Sequence, residues 1–252
     1  MQIEYQNYLE PGQSEILVRE LLEQAFGLEE LGEPEDLITQ LQAGQFQVFS
    51  AWEGARPLGA AIAWPATREV TLLSWLAVSP RTRGHGVGSK LFRETISALE
   101  ATVNPLLILG EIEDPQLHAP SEDRGDPQRR WDFYRRLGAK HLDFPFTMPR
   151  LSADVPVGED MWLLSFGGRA HAGIEASTGS LVGQGLARPL EKFLKTYLAD
   201  SGEIRNAAEK YRLQWKKCWQ PHQSRLICAA LRQKLGNIDL MAEDYQVGVK
   251  NE

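Results

Sequence analysis

The chain has 252 residues, of which 42% are hydrophobic and 24% are charged, and its formal net charge at pH 7 is -7. This composition is typical of a globular protein with enough apolar material for a core, and it excludes disordered, collagen-like and coiled-coil chains. The negative charge argues against a bulk nucleic-acid binder, although a local basic face stays open.

Residues 1–8 predict a short strand. Apolar residues spaced by four, four and three then predict one face of a helix, at Leu17, Leu21, Ala25 and Leu28. Pro34 suits the first turn of a second, short helix, which Gly44 ends. Two helices are therefore expected before the main sheet.

From residue 46 the apolar period changes to that of a strand. Residues 46–52, 58–64 and 70–78 predict three consecutive strands joined by turns. Both faces of the third strand are largely apolar, so we expect this strand at the centre of the sheet.

A glycine-rich loop joins this central strand to a predicted helix over residues 87–99. At a helix start the main-chain N–H groups have no partner within the helix, and the helix dipole adds partial positive charge. Gly84, Gly86 and Gly88 remove Cβ atoms that would keep an anion from these amides, and Arg83 adds a fixed charge. The loop is therefore predicted to bind an anion such as a pyrophosphate.

Two common nucleotide-binding patterns do not fit this loop. GxGxxG starting at Gly84 requires a glycine where Ser89 stands, and GxxxxGK[ST] requires the same glycine before Lys90. Neither a Rossmann site nor a P-loop site is expected. A glycine-rich turn that only reverses the chain is the alternative.

The remaining elements of the first unit follow the predicted helix. Residues 106–112 predict a strand, and an irregular polar loop follows it. The spacing of Trp131, Tyr134 and Leu137 predicts a helix that Gly138 ends. Residues 141–146 and 161–166 predict a closing pair of strands.

The chain changes character after residue 166. Six glycines within residues 167–185 indicate a linker. Beyond it, residues four apart predict helix faces, at Leu190, Leu194 and Leu198 and then at Tyr211, Trp215 and Trp219. We therefore divide the chain into a first domain (1–166), a linker (167–186) and a C-terminal helical region (187–252).

Two motifs in this order resemble the GNAT superfamily of acetyl-CoA-dependent N-acetyltransferases. Arg83, Gly86 and Gly88 match its R/Q-x-x-G-x-G/A motif, and the segment from Phe133 to Ala139 matches an aromatic–Tyr pair before a helix-ending glycine. The predicted order of elements is also that of the family. The resemblance covers residues 1–166 and implies an α+β GNAT acyltransferase fold, with a central mixed, twisted sheet flanked by helices and a C-terminal helical extension outside it.

The resemblance also implies an activity and a set of roles. It implies transfer of an acetyl group from acetyl-CoA to a primary amine by direct attack, with no metal and no covalent intermediate, and no Ser–His or Cys–His pairing is indicated. It implies that Leu76, Ala77 and Val78 pair with the pantetheine arm. The residues implied to take the pyrophosphate are Arg83, Gly84, His85, Gly86, Val87, Gly88 and Ser89.

Three side chains are candidates for proton transfer. Tyr134 matches the family position that protonates the departing CoA thiolate; a purely packed tyrosine is the alternative. Glu111 and Glu113 are two residues apart on the predicted strand, so they share a face, and either could accept the proton of the acceptor ammonium. Solvated strand-end carboxylates are the alternative.

Two acidic regions indicate a cationic acceptor. In the family, the N-terminal helices and the loops after the later strands border the acceptor cleft. The acidic residues of these two regions are Glu29, Glu30, Glu33, Glu35, Asp36, Glu111, Glu113, Asp114, Glu122, Asp123 and Asp126. Arg124 is a basic residue among them. Their summed field would concentrate a polyamine, an aminoglycoside-like amine or a peptide amine. Ordinary surface charge is the alternative.

The C-terminal region is locally basic, with eight basic and two acidic residues between positions 203 and 234. A nucleic-acid-binding tail is one interpretation, but we favour a helical appendage that packs on the first domain or on a second subunit. Two alternatives to the enzyme therefore stay open: a non-catalytic CoA-binding protein of GNAT fold, and an interaction protein with a basic helical tail. A homodimer and a longer acyl group also stay open.

Cellular location can be predicted from cysteine usage. Cys218 and Cys228 belong to no CxxC or HxxxH pattern, so neither a disulfide framework nor a metal site is expected. The first residues lack the basic and apolar segments of a secretory signal, and no apolar stretch approaches the about 18 residues of a membrane span. A cytoplasmic protein without membrane contact is expected.

Overall fold

The computed structural model describes residues 4–121, 125–142, 146–148, 158–174 and 186–200. Within them, eight strands form one sheet. The strands are β1 (Glu4–Gln6), β2 (Gln47–Glu53), β3 (Arg56–Trp64), β4 (Val70–Val78), β5 (Leu107–Glu113), β6 (Lys140–His141), β7 (Phe146–Met148) and β8 (Gly158–Gly167). Their order is β1-β2-β3-β4-β5-β8-β6, with β7 also paired to β8. Only the β4–β5 pair is parallel, so the sheet is mixed.

Helices cover both faces of this sheet. They are α1 (Gln13–Leu17), α2 (Leu28–Leu31), α3 (Pro34–Gln42), α4 (Val87–Thr102), α5 (Pro127–Arg136) and α6 (Ala187–Asp200). The first three pack over β2, β3 and β4, while α6 packs on the same face over β4, β5 and β8. Helices α4 and α5 cover the opposite face. The structure thus confirms the expected α+β architecture, a central mixed sheet flanked by helices.

The N-terminal helical region differs from the prediction of one helix face from Leu17 to Leu28. Helix α1 continues as a π-helical segment, Val18–Leu22, and the chain then breaks at Gly27, which has an extended conformation. Leu28 begins the separate helix α2 and is 57% exposed. The prediction was wrong at Leu28 because a spacing of three across Gly27 was read as helix continuation.

The parallel strands β4 and β5 separate soon after they pair. Their register joins only Val70–Leu72 to Leu107–Leu109. Beyond that point β4 continues beside β3 to Val78, and β5 continues beside β8 to Glu113. The register of β4 on β3 also shifts between Ile62 and Ala63, and an irregularity of this kind bends a strand. A cleft therefore opens between the carboxyl ends of the two strands.

The described part of the C-terminal region packs on the sheet. Leu190 and Phe193 of α6 are 1% and 0% exposed and share one core cluster with Val70, Leu109 and Leu163. Of the predicted linker, residues 167–174 complete β8 and form a short 3-10 turn. The division into domain, linker and tail stays a prediction, because residues 175–185 and 201–252 lie outside the described residues. The aromatic stripe, the basic residues and both cysteines of the tail lie there too.

Two features are absent from the described residues. None of their helices is long and apolar enough to cross a bilayer. They also contain no group of three or more His, Cys, Asp or Glu side chains that could hold a metal ion.

Candidate functional site

The loop between β4 and α4 is anchored at its start and exposed at its tip. A 3-10 turn, Pro80–Thr82, follows β4. The buried Thr82 Oγ1 lies 3.3 Å from the Leu58 carbonyl oxygen and 3.1 Å from that of Ser79. Residues 83–86 are exposed. The anchored turn therefore presents the loop at the surface next to the cleft.

The three glycines of the loop have two different structural roles. Gly84 and Gly86 have φ angles of +82° and +78°, and a Cβ on either would meet nothing within 4 Å. The backbone conformation therefore requires them, and the space above them is open. A Cβ on Gly88 would instead lie 3.0 Å from Val78 Cγ2. Gly88 thus lets the first turn of α4 pack closely on β4. From the sequence, all three glycines had been expected to have the same role, access of an anion to the amides.

The first turn of α4 presents unsatisfied amides. Gly86 is the N-cap residue, and the N–H of Lys90 donates to its carbonyl at 2.9 Å as the first helical hydrogen bond. The N–H groups of Val87, Gly88 and Ser89 precede that bond and have no acceptor within the helix. Together with the helix dipole they suit an anion at this position.

Leu76, Ala77 and Val78 form the last part of β4, where it has left β5. They pair with Ala61, Ala60 and Gly59 of β3 on one side. On their other side the described residues provide no paired strand, since the β4–β5 ladder ends at Leu72. The backbone edge here suits an extended group with its own hydrogen-bonding amides.

Tyr134 of α5 lies in a cluster of aromatic rings. Its ring centroid is 4.7 Å from that of Phe166, 5.2 Å from Phe133 and 5.6 Å from Phe92. Burial raises the pKa of Tyr134 to about 12, with the nearby positive charge of Arg130 acting in the opposite direction. The phenol therefore keeps its proton at neutral pH and can act as a proton donor.

Gly110 makes this ring cluster possible. A Cβ at Gly110 would lie 2.0 Å from Phe166 Cε2, which is far inside van der Waals contact. The ring of Phe166 therefore lies directly on the β5 backbone and supports Tyr134. In the sequence Gly110 is an isolated glycine inside a strand, and that pattern indicates close approach of another group.

Glu111 is the second residue after β5 stops pairing with β4. Its buried carboxylate accepts a 2.6 Å hydrogen bond at Oε1 from the Tyr197 hydroxyl of α6. Oε2 is buried and has no hydrogen-bond partner among the described residues. Loss of hydration raises the pKa of Glu111 to about 7; the Tyr197 hydrogen bond lowers it, and the negative charge of Glu30 raises it further.

Glu113, the other candidate base, has a different environment. It is 5% exposed, and its Oε2 lies 3.8 Å from Nη1 of Arg130 on α5. The ion pair with Arg130 thus engages one oxygen of Glu113. The structure therefore distinguishes two carboxylates that the sequence could not rank, and the cleft carboxylate with an unpartnered oxygen is Glu111.

The acidic regions are only partly brought together. The Glu30 carbonyl accepts a 2.9 Å hydrogen bond from Trp75 Nε1 of β4, and the Glu30 charge reaches Glu111. Asp114 and Asp126 instead accept local backbone hydrogen bonds, from the amides of Gln116 and Arg129. Their contribution to one field with Glu30 and Glu111 stays a prediction. The side chain of Glu29, and Glu122, Asp123 and Arg124, lie outside the described residues.

A Ser–His pair is present that the sequence did not indicate. Ser165 Oγ lies 2.8 Å from Nδ1 of His171, in the turn after β8. Ser165 is 0% exposed, and burial followed by the charge of Lys140 lowers the pKa of His171. The Lys140 ammonium also donates to carbonyls of that turn, including that of Ile174 at 2.8 Å. This pair joins the turn to the sheet.

Tyr197 is the site residue that sequence reasoning missed. It lies beyond the predicted first domain, on a helix that the leucine spacing had correctly predicted. Phe193 and Tyr197 are four residues apart beside that leucine stripe, so they extend the apolar face of the helix. This aromatic pair was the feature of the sequence that indicated burial of this face of α6 against the rest of the protein.

Comparison with known proteins agrees with the geometry. Residues 44–138 match the family model described as the acetyltransferase (GNAT) domain. Among solved structures, a GNAT-family protein from Bacteroides thetaiotaomicron is 23% identical with a TM-score of 0.50, over 65% of this chain and 86% of that chain. One from Desulfovibrio desulfuricans is 20% identical with a TM-score of 0.47, over 66% of this chain and 100% of that chain. An acetyltransferase from Streptococcus agalactiae is 19% identical with a TM-score of 0.45, over 65% of this chain and 96% of that chain.

The search of curated proteins found no match. The family model spans the glycine loop and Tyr134, the two motifs that carried the resemblance. The predicted resemblance to the GNAT acetyltransferases is thus confirmed over residues 44–138, and the fold is the GNAT fold. Members of this family generally use acetyl-CoA as the acyl donor.

Proposed function

We propose that the protein is an N-acetyltransferase that moves an acetyl group from acetyl-CoA to a primary amine, preferably a cationic one. The observation that carries this proposal is the separation of β4 from β5 beside an exposed anion-binding loop. Glu111 stands two residues beyond the point of separation, with one carboxylate oxygen unpartnered among the described residues. The cleft thus offers a place for a long phosphorylated donor and a base beside it.

The chain's own residues suit the donor in two places. The amides of Val87, Gly88 and Ser89, with Arg83 beside them, would hold the diphosphate, and Gly84, His85 and Gly86 complete the loop. The free edge of Leu76, Ala77 and Val78 would hold the extended arm. Bound there, acetyl-CoA supplies a thioester with a good leaving group.

Three proton transfers complete the proposed reaction. Glu111 takes the first from the acceptor ammonium at Oε2, and the resulting neutral nitrogen attacks the thioester carbonyl carbon. As the carbon–sulfur bond breaks, Tyr134 donates its proton to the departing sulfur, and the new amide nitrogen returns its extra proton through solvent to the Tyr134 phenolate. The proton on Glu111 leaves to solvent before the next turnover. The pKa of about 7 suits Glu111 to a base at neutral pH, and the pKa of about 12 keeps Tyr134 protonated. Glu113, the remaining candidate base, would not take this proton. Its ion pair with Arg130 would help to hold α5 beside the site.

Preference for a cationic acceptor follows from charge in the cleft. Glu30 and Glu111 lie close enough for the charge of one to raise the pKa of the other. A bound cation would relieve that repulsion, so a small polyamine, an aminoglycoside-like amine or a peptide amine fits better than a neutral one.

Release of free thiol from acetyl-CoA, measured across a panel of amines, tests the proposal. We expect release with cationic amines, and about 10²- to 10⁴-fold less with Glu111→Gln, because general-base catalysis contributes that much. Binding of CoA by calorimetry without any release would support the non-catalytic alternative. Absence of CoA binding would refute the whole proposal, and preference for neutral or anionic amines would refute its acceptor class.

Three further inferences come from the sequence. We infer a cytoplasmic protein, a GNAT-like segment that ends near residue 166 with α6 packed on it, and a tail that packs on protein and not on nucleic acid. The packing of α6 on β4, β5 and β8 supports the last inference. Retardation of DNA or RNA at physiological salt, lost on truncation after residue 200, would refute it.

A further inference from the structure

Tyr197 is held firmly beside the cleft by aromatic packing. Its ring stacks on Phe193 at 5.4 Å and on Phe146 at 6.0 Å, with interplanar angles of 13° and 10°. Trp64 of β3 contributes a third ring at 6.2 Å. Ring packing on several sides fixes the direction of the hydroxyl, which reaches the carboxylate of Glu111 at 2.6 Å.

This hydrogen bond engages only one oxygen of Glu111. Oε1 accepts from Tyr197, whereas Oε2 is buried without a hydrogen-bond partner among the described residues. An unsatisfied buried polar atom is rare in folded proteins and often marks a functional site. An ammonium N–H of an acceptor would satisfy it. The bond at Oε1 also limits rotation of the carboxylate, so that Oε2 keeps its direction.

We propose that Tyr197, on the C-terminal helix outside the family-matched segment, is a positioning residue that orients Glu111 and stabilises its charged form for proton abstraction. This inference rests on the proposed function, because it assigns Tyr197 a role only if Glu111 is the base. It makes α6 a functional part of the acceptor site, in addition to its packing on the sheet.

Two charged or titratable groups act on Glu111 from the elements packed around it. Tyr197 on α6 lowers the pKa of Glu111 through the hydrogen bond, and Glu30 on α2 raises it through like charge. Burial raises it most. Loss of the Tyr197 hydroxyl would therefore leave both raising effects without opposition, and the carboxylate would become protonated over a wider range of pH.

Tyr197→Phe removes this hydroxyl and keeps the ring. The acidic limb of the profile of kcat/KM against pH reports the pKa of the base in the free enzyme. We expect Tyr197→Phe to move its midpoint from near 7 to a higher pH. At pH 7 a displacement by one unit should lower the rate by about fivefold, because the deprotonated fraction falls from about a half to about a tenth. At pH 9 the rate should recover most of the wild-type value.

Thr196→Ala is the matched control on the same helix. Thr196 Oγ1 donates to the Lys192 carbonyl at 3.0 Å, so this variant also loses a helix hydroxyl but keeps the Tyr197–Glu111 bond. We expect its midpoint to equal that of the wild type. A merely structural role of Tyr197 would lower the rate equally at every pH and leave the midpoint in place.

A second measurement does not depend on catalysis. Infrared difference spectra of the full chain without substrates, with Glu111→Gln to identify the carboxyl band, give the titration midpoint of Glu111 directly. A higher midpoint in Tyr197→Phe than in wild type supports the inference, and equal midpoints by this method overturn it. Failure of the proposed function has a different signature, since wild-type protein would then release no thiol from acetyl-CoA at any pH.

Discussion

Glu111 combines a buried carboxylate, one hydrogen bond and a like charge nearby, and together these set its proton affinity. Its pKa of about 7 exceeds the ordinary value of 4.5 because burial removes the hydration of the charged form. A buried carboxylate destabilises the folded state when it is charged. Because its pKa lies near neutral pH, it is also suited to accept a proton there.

The pKa of Glu111 predicts how stability depends on pH. The folded pKa is raised, so the native state binds a proton that the unfolded state has released between pH 4.5 and about 7. The stabilisation is complete below pH 4.5 and is lost as pH rises through about 7. The shift of the Glu111 pKa from 4.5 to about 7 corresponds to a change in the free energy of unfolding on the order of 3 kcal/mol.

Urea unfolding at pH 5 and pH 8 checks this prediction. We expect the free energy of unfolding of the wild type to fall between the two pH values by more than that of Glu111→Gln, which carries no titrating group at this position. Equal pH dependence in both proteins would contradict the raised pKa.

Replacement of Tyr134 by Phe tests its role as proton donor. The ring should keep its packing on Phe166 and Phe92, so the melting temperature should change little. We expect kcat to fall by about 10²- to 10⁴-fold, as for loss of a general acid. Tyr8→Phe is the control, because Tyr8 is 56% exposed. An unchanged kcat would reduce Tyr134 to a packing residue.

Residues defined by short motifs could be predicted from the sequence. The glycine loop and the two strand glutamates were expected at a helix start and a strand end, and Tyr134 on a helix through the family motif; the structure has them on these elements, while their roles stay predictions. The choice between Glu111 and Glu113 could not be predicted. It depends on Tyr197 and Arg130, which reach β5 from other elements.

At the scale of elements, the connection from β4 to α4 depends on backbone conformation more than on side chains. Gly86 caps α4 with φ +78°, which orients the first-turn amides toward open space. The length and start of α4 were predicted well, because apolar periodicity and a glycine cap agree. The register shift of β4 on β3 could not be predicted, because it leaves no mark in the apolar pattern.

Gly86→Ala and Gly44→Ala make a matched pair. Both glycines have positive φ, +78° and +70°, with nothing near a new Cβ. Each substitution should destabilise the fold by about 1 kcal/mol through backbone strain. Only Gly86→Ala should weaken CoA binding in calorimetry, by about tenfold if about 1.4 kcal/mol of binding is lost. Equal affinities in the two variants would locate the coenzyme away from this loop.

For the whole molecule, α6 completes the core on one face of the sheet. Phe193 is 0% exposed and packs in a cluster built from β4, β5 and β8, which are distant in sequence. A glycine-rich stretch precedes this helix, and that pattern predicted a helix outside the first unit. Glycine content predicts where a chain can turn, but it gives no information on what the following helix will contact.

Phe193→Ala tests the contribution of α6 to global stability. Truncation of a fully buried phenylalanine should lower the free energy of unfolding by about 3 to 5 kcal/mol. Lys192→Ala, at an exposed neighbouring position, should change it by less than about 0.5 kcal/mol. If Phe193→Ala altered only a minor early transition, α6 would form a separate unit and not part of the common core.

The docking of α6 has a consequence for the nascent protein. Synthesis proceeds from the N-terminus, and domains generally fold as units during it. A growing polypeptide that has reached residue 174 already contains the glycine loop and both strands of the cleft, whereas the phenol that holds Glu111 emerges later. Because Leu190 and Phe193 of α6 complete the core on that face, the sheet should gain its full stability only after this helix has left the ribosome, and coenzyme affinity and transfer should appear together.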